Sequence, residues 1–276
     1  MTARRPVCAI SLLVWNSVRY LENLLVNIAV YPPGGAYHLR ILDQGSGPET
    51  AALLQRHAEG VDVVSVERLE ANIGYGAGHN RNYARFRRDI AFDYFVTIND
   101  DLVFGETNWL DRLVEGMEAR QDVAVGGPIC FRMDAKTTRR STRAERAAGR
   151  FDFVGGAVSI IRASAVDALG LFDEAYAPAY WEDADMCFRN RHFGWQLASI
   201  DLQVCHAYLG ERSLADPARE AALARHGDFR RRNFALLRSR WPIGDRSPRL
   251  PPALDVAAAF PRLYFPGRPV AASPAC

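Results

Sequence analysis

The chain has 276 residues, of which 49% are apolar, 11% aromatic and 24% charged, the balance of a globular protein with a full core and not of a disordered or fibrous one. Its 34 basic and 32 acidic residues leave a net charge of +2, so no overall field argues for nucleic acid as a partner. No apolar run reaches the roughly 18–20 residues of a membrane span, and MTARRPVCAISLLVW breaks at Asn16 and Ser17 without a small-residue cleavage site, so the expected location is the cytoplasm, with at most a loose peripheral association at the inner face of the membrane.

Taken in chain order, Val7–Val14 is an apolar run, Ser17–Ile28 has helical spacing, Leu39–Asp43 is short and extended, and Glu49–Ala58 is helical again. This is a βαβα opening. Val61–Glu67 and Tyr94–Asn99 read as two further strands, separated by a glycine-rich turn and a helix over Ala77–Arg87. The first hundred residues therefore predict a mostly parallel sheet with helices on both faces, an architecture whose ligands bind beyond the carboxyl ends of the strands. The polar residues there are Asn16, Asp43 and the run Asn99-Asp100-Asp101.

A helix near Asn108–Ala119 and a strand near Val123–Phe131 follow. Asp134–Arg150 is polar, with Lys136, Arg139, Arg140, Arg143, Arg146 and Arg150 against Asp134 and Glu145, and reads either as a mobile loop or lid or as a solvated charged helix. Phe151–Arg162 is a strand bearing Gly155-Gly156, then come a short helix from Ala163, a helical segment Trp181–His192 and a strand-like stretch through Cys205. Ala218–Arg240 is an arginine-studded helix, and Leu250–Cys276 is proline-rich, with an extended or partly disordered conformation expected. The five cysteines, Cys8, Cys130, Cys187, Cys205 and Cys276, lack CxxC spacing and are expected as buried free thiols.

Three clusters carry candidate chemistry. In TINDD an apolar strand ends in Asn99, Asp100 and Asp101, oxygen ligands that suit a hard divalent cation shared with substrate phosphates, although a turn or helix N-cap would use the same residues. Glu182, Asp183 and Asp185 follow Tyr180-Trp181. They suit a general base walled by apolar groups and equally suit the favourable start of a helix. Gly74 opens a glycine cluster before a helix, where backbone can approach a diphosphate. It lacks the lysine of a P-loop and follows the third strand, not the first. His206, after the strand-like stretch, is either structural or a metal ligand.

In order, SLLVWNSVRYLENLL, ILDQGSGPET, ANIGYGAGHNRNYA, TINDDLVF and the run from FVGGAVSIIRAS through GLFDEAYAPAYWEDADMCFRN to HAYLG resemble glycosyltransferase family 2, the inverting group with the GT-A fold that uses nucleotide-diphosphate sugars. The last run is similar to its rhamnosyltransferase-like members. The resemblance spans about Val7–Gly210. It implies a Rossmann-like nucleotide-binding sheet in one α/β domain over 1–215, extended by a C-terminal helix over 216–249 and a proline-rich tail over 250–276.

Carried over residue by residue, the resemblance implies that Asp43 reads the base with help from Asn16. Arg81 would lie near base or phosphate, and Gly74 and Asp100 belong to the nucleotide side. Asp101 takes the role of the last acid of the family's DxD motif, and His206 completes the shell of a Mn2+ or Mg2+ ion. Asp183 is the general base toward an acceptor hydroxyl, shaped by Glu182 and Asp185, with Gly155, Gly156 and Trp181 on the sugar and acceptor side. The donor is expected to be UDP- or dTDP-linked in preference to GDP-linked, and the acceptor a glycan, a lipid-linked sugar or a small molecule. The chain departs from the pattern at Asn99, the first DxD position, and at Asp100, where many relatives have proline, so ligation would rest on Asp101 alone or recruit Asp100. Two alternatives stand beside this one: an inactive sugar-nucleotide-binding relative, and a sugar-phosphate nucleotidyltransferase. The second needs a glycine-rich basic signature near the first strand, which CAISLLVWNS lacks.

Overall fold

The computed structural model describes residues 4–59, 63–134, 137–206, 226–241, 243 and 255–266. Strand β1 (Val7–Val14) leads through α1 (Val18–Val30) to β2 (Ala36–Asp43), and α2 (Pro48–Ala58) leads to β3 (Val64–Arg68). Helix α3 (Tyr75–Asp89) then crosses to β4 (Tyr94–Ile98), and β5 (Leu102–Phe104), α4 (Trp109–Glu118), β6 (Val123–Gly127) and β7 (Cys130–Met133) follow. The second half comprises β8 (Thr138–Arg140), α5 (Arg143–Ala147), β9 (Phe153–Val154), β10 (Val158–Arg162), α6 (Ala163–Leu169), a 3-10 turn (Glu174–Tyr176), α7 (Glu182–His192), β11 (Gln196–Ser199) and β12 (Val204–His206). Two helices beyond these, His226–Arg240 and Val256–Ala259, are α8 and α9.

Seven strands form the central sheet in the order β11-β6-β10-β4-β1-β2-β3. Its pairs are parallel except where β10 runs antiparallel between β4 and β6. Alternation along the strands divides the core between two faces. Cys8, Ile10, Leu12 and Val14 of β1 pack with Leu21 and Leu24 of α1 and Trp109 and Leu113 of α4, whereas Ala9 and Phe95 join Tyr83 and Phe86 of α3, Met186 and Cys187 of α7 and Trp241. The mixed α/β fold with helices on both faces is the one expected from the sequence.

Several elements differ from expectation. The strand expected over Val123–Phe131 is two strands, β6 and β7, because Gly127-Pro128 turns the chain between them. The strand expected over Phe151–Arg162 breaks at Gly155-Gly156 into β9 and β10. Within Asp134–Arg150, neither a loop throughout nor one helix forms; β8 pairs with β7 and α5 follows. Helix α5 starts in a capping box between Thr142 and Glu145, and Glu145 also accepts two hydrogen bonds from Arg139 at 2.6 and 2.8 Å. The proline-rich composition of 250–276 masked apolar anchors: α9 and the buried Phe260, Leu263 and Tyr264 join the core, and Leu263 bridges to Asp173. Cys8, Cys130 and Cys187 are buried free thiols as expected, but Cys205 is exposed, since it lies in the two-stranded β5–β12 pair outside the main sheet. Residues 61–62, Lys136, 207–225, 250–254 and 267–276, on which parts of the expected elements and domain boundaries fall, lie outside the described residues, as does Cys276. Among the described residues no helix is long and apolar enough to cross a membrane.

Candidate active site

Parallel pairing of β1 with both β2 and β4 sets their carboxyl ends side by side, with Val14 opposite Asp43 and Leu12 opposite Ile98. Asp43 is buried; its carboxylate accepts from the Ser46 amide at 2.9 Å and is charge-paired with Arg68. Asn16, in a left-handed conformation at φ 49°, donates its amide to Ser46 Oγ at 3.0 Å and accepts from the Gly47 amide at 2.8 Å. Asn16 and Asp43 thus meet through the Ser46 turn. Sequence reasoning missed Ser46 and Arg68, whose only signal is the cross-strand position of Arg68 opposite Asp43.

Arg81 is not with them. It donates from Nε to Glu67 at 2.8 Å, and Glu67 precedes Arg68 in β3, so its side chain leaves the opposite face of the sheet. Gly74 also has a different surrounding from the diphosphate cradle expected. Its φ is +92°, and a Cβ there would lie 2.7 Å from the Pro178 carbonyl oxygen, which accepts from the Tyr75 amide at 2.7 Å. The glycine lets the start of α3 dock on the 177–181 loop.

Asn99, Asp100 and Asp101 follow β4, and the antiparallel pairing of β5 with β12 sets His206 opposite Leu102. His206 Nε2 lies 3.0 Å from Asp101 Oδ1 and 3.3 Å from Asn99 Nδ2. Asp100 and Asp101 are buried and His206 is partly exposed. Among the described residues no group of three or more His, Cys, Asp or Glu is gathered to hold a metal. Asp101 and His206 thus stand as a pair, and a divalent cation held there would have to take its remaining ligands from a bound phosphate and water.

The Gly155-Gly156 break joins this end of the sheet to α7. The Asn99 amide donates to the Ala157 carbonyl at 2.9 Å, and the Gly156 carbonyl accepts from Thr97 Oγ1 at 2.8 Å and Tyr75 Oη at 2.7 Å. Gly155 donates to Ile129 O at 2.8 Å. On the other side, Gly156 N–H donates to Asp183 Oδ2 at 2.9 Å, and Ala184 N–H donates to Asp183 Oδ1 at 2.8 Å. Burial raises the proton affinity of Asp183 above the ordinary 3.8, and those two amides only partly oppose it. Asp183 keeps an accessible face, whereas Glu182 is buried. Burial first and the Asp183 charge second push Glu182 well above the ordinary 4.5, and among the described residues its Oε2 has no hydrogen-bond partner.

Tyr180 and Trp181, at φ 81° and 78°, are consecutive left-handed residues with bulky side chains, a strained turn of the kind that persists only when its surroundings over-determine it. Asn233 of α8 supplies that. It is fully buried, and its Nδ2 donates to the carbonyls of Tyr176 at 2.5 Å, Ala179 at 2.8 Å and Tyr180 at 3.4 Å. Trp181 donates from Nε1 to the Arg230 carbonyl at 3.0 Å. Asp185, expected on the sugar and acceptor side, is instead fully buried, and its carboxylate accepts from Tyr176 Oη at 3.0 Å, Trp241 Nε1 at 2.8 Å and Arg189 at 2.8 Å. It ties α7 to the C-terminal helix. Asn233 and Trp241 were missed in the sequence, where the many arginines mask the apolar positions Phe234, Leu237 and Trp241 that face the core.

Residues 10–171 match the family model described as Glycosyl transferase family 2. No curated protein matches the chain. Among solved structures, the mannosyltransferase PcManGT from Pyrobaculum calidifontis in complex with GDP-Man and Mn2+ is similar over 72% of this chain and 56% of its own, with a TM-score of 0.57 and 16% identity. GalNAc-T7 with UDP, GalNAc and Mn2+ is similar over 73% of this chain and 43% of its own, with a TM-score of 0.56 and 13% identity. The chain spans about half the length of these two, and the likeness is one of fold.

Proposed function

The chain belongs to glycosyl transferase family 2, and from that membership we propose that it moves a sugar from a nucleotide-diphosphate donor to an acceptor hydroxyl in one inverting displacement. The observation that carries this reading is the meeting of Asp101 and His206 at 3.0 Å, linked through Asn99 and the Gly156–Ala157 segment to the carboxylate of Asp183. A pair able to hold a cation against the diphosphate and an accessible base at one end of the sheet are what the displacement needs.

Asn16 and Asp43, held by Ser46 and Arg68, are the nucleotide side. Asp101 and His206, with Asn99 or Asp100 nearby, would hold Mn2+ or Mg2+. Bound there, the cation supplies positive charge to the diphosphate leaving group. Asp183 takes the acceptor's hydroxyl proton as the acceptor oxygen bonds to the anomeric carbon; the bond from that carbon to the diphosphate oxygen breaks, and its electron pair leaves with the diphosphate. The amides of Gly156 and Ala184 fix the direction of the Asp183 oxygens. No second carboxylate nucleophile is required, since nothing covalent forms on the enzyme. The rhamnosyltransferase-like run favours a dTDP- or UDP-linked donor, dTDP-rhamnose foremost. A panel of nucleotide sugars, assayed for hydrolysis with manganese and again with a chelator, tests the reading: release of nucleotide from one donor that stops on chelation supports it, and no release from any donor overturns it.

A further inference from the structure

A cavity of about 460 Å³ opens beside the start of α7, lined by Thr137 and Thr138 at the β7–β8 turn, by Trp181, and by Arg230, Arg231 and Phe234 of α8. Its floor is aromatic, with the Trp181 and Phe234 rings 4.9 Å apart between centroids. The Trp181 indole N–H is already used by the Arg230 carbonyl, so the indole offers a carbon surface. Its rim is cationic. The Arg230 guanidinium lies 5.8 Å over the Trp181 ring, and among the described residues it has no carboxylate partner. Arg231 is paired with Asp228, and both side chains are 78% exposed. Exposed pairs of this kind contribute little, so Arg231 can exchange its carboxylate for a better anion.

An aromatic floor with a cationic rim suits a ligand that has a flat C–H face and a compact anion, and the planar guanidinium fork matches phosphate oxygens best. Trp181 directly precedes Glu182 and Asp183, so the cavity is on the side of the base, whereas the nucleotide and cation residues sit at the ends of β1, β2 and β4. Resting on the transferase reading of the Asp183 site, we propose that this cavity is the acceptor subsite and that it takes a phosphorylated sugar, with the sugar against Trp181 and Phe234 and the phosphate on Arg230 and Arg231.

The test uses the full chain, the donor identified by hydrolysis, and three acceptors: an uncharged p-nitrophenyl hexoside, a hexose 1-phosphate, and a polyprenyl-diphosphate hexose in detergent micelles. A phosphorylated acceptor should be preferred in kcat/KM by at least about tenfold, the scale of charge-assisted hydrogen bonds to a phosphate. Preference for the hexose 1-phosphate alone marks a free sugar phosphate, and preference for the polyprenyl compound alone a lipid-linked one. Arg230→Gln with Arg231→Gln should remove the preference through acceptor KM, and Arg230→Lys should keep part of it. Equal use of the uncharged hexoside, or an unchanged preference in the double variant, overturns the proposal. Should no donor be turned over, it is the transferase reading that fails. Calorimetry with hexose 1-phosphate in chelator then decides the subsite: binding lost in the double variant supports it, and no binding by the unmodified protein overturns it.

Discussion

Gly156 donates its amide hydrogen to Asp183 at 2.9 Å while its carbonyl accepts from the Tyr75 hydroxyl at 2.7 Å, so one peptide segment couples the start of α3 to the candidate base. A Cβ at position 156 would lie 2.5 Å from that hydroxyl oxygen. Gly156→Ala should therefore force the Tyr75 ring aside and destabilise the protein by about 1–3 kcal/mol, as overpacking does. Adding Tyr75→Phe removes the clashing oxygen and should recover part of the loss. Thermal melts of the two single variants and the double variant measure the coupling, and simple additivity would refute it.

Asp183→Asn should lose the proton acceptor together with one of the two backbone contacts, since its NH2 cannot accept from the Gly156 or Ala184 amide. Transfer should fall by about 10²–10⁴-fold or more, with donor affinity nearly intact. Because burial raises the Asp183 proton affinity, protonation disables the base at a higher pH than for an ordinary aspartate. The acid limb of the pH–kcat/KM profile should therefore lie above 3.8. A limb unchanged in Asp183→Glu, with wild-type turnover in Asp183→Asn, would remove Asp183 from the mechanism.

Glu182 gives a stability prediction whose sign can be worked out. Its folded proton affinity is raised well above the ordinary 4.5, so at intermediate pH the folded state holds a proton that the unfolded state has released. The stability linked to this group is fully present below the unfolded value and is lost as pH rises through the folded one. Glu182→Gln removes that loss. The variant should melt higher than the parent at pH 7–8, and the difference should shrink toward pH 4.

Asp101→Ala and His206→Ala should each weaken donor binding only where manganese is present, by about 10–100-fold or more, since even groups that merely support metal ligands carry effects of that size. Calorimetry of the donor with manganese and with chelator separates this from a general loss. Equal affinity under both conditions in the unmodified protein would contradict the cation assignment.

Asn233→Ala deprives the carbonyls of Tyr176, Ala179 and Tyr180 of their shared donor. The expected cost is about 1–3 kcal/mol, read as a lower melting temperature, together with a fall in kcat as the left-handed pair before Glu182 relaxes.

The residues that share a strand end or a short motif were legible in the sequence. Val7–Val14, Asp43 and TINDD lie where periodicity placed them, whereas the meeting of Asp101 with His206, 105 residues apart, was implied by the family resemblance alone and comes about because β5 and β12 pair. What was not legible depends on side chains reaching across layers. Glu67 and Arg68 are neighbours in β3, yet the alternation of the strand sends Arg81's partner to one face and Asp43's to the other. Asp185 looked like a third site carboxylate from its spacing alone, and only Trp241, Tyr176 and Arg189 around it make it a buried tie. Gly74 opens a glycine cluster before a helix, where backbone could approach a diphosphate, while its tight contact is with Pro178.

The segment around Tyr264 runs beside residues 171–174, exchanging backbone hydrogen bonds from Leu171 to Tyr264, from Tyr264 to Phe172 and from Glu174 to Arg262. A ribosome adding about 5–20 residues per second needs roughly 5–20 s to travel the 90 residues from Glu174 to Tyr264. Through that interval β1–β4 and the ends that hold Asn16, Asp43 and Asp101 are already outside. Leu171, Phe172 and Asp185 wait without the residues that cover them. The strand ends that carry Asn16, Asp43 and Asp101 emerge first, the partner of Asp101 at His206 comes 105 residues later, and the half that seats Asp183 is completed only after translation has passed Tyr264.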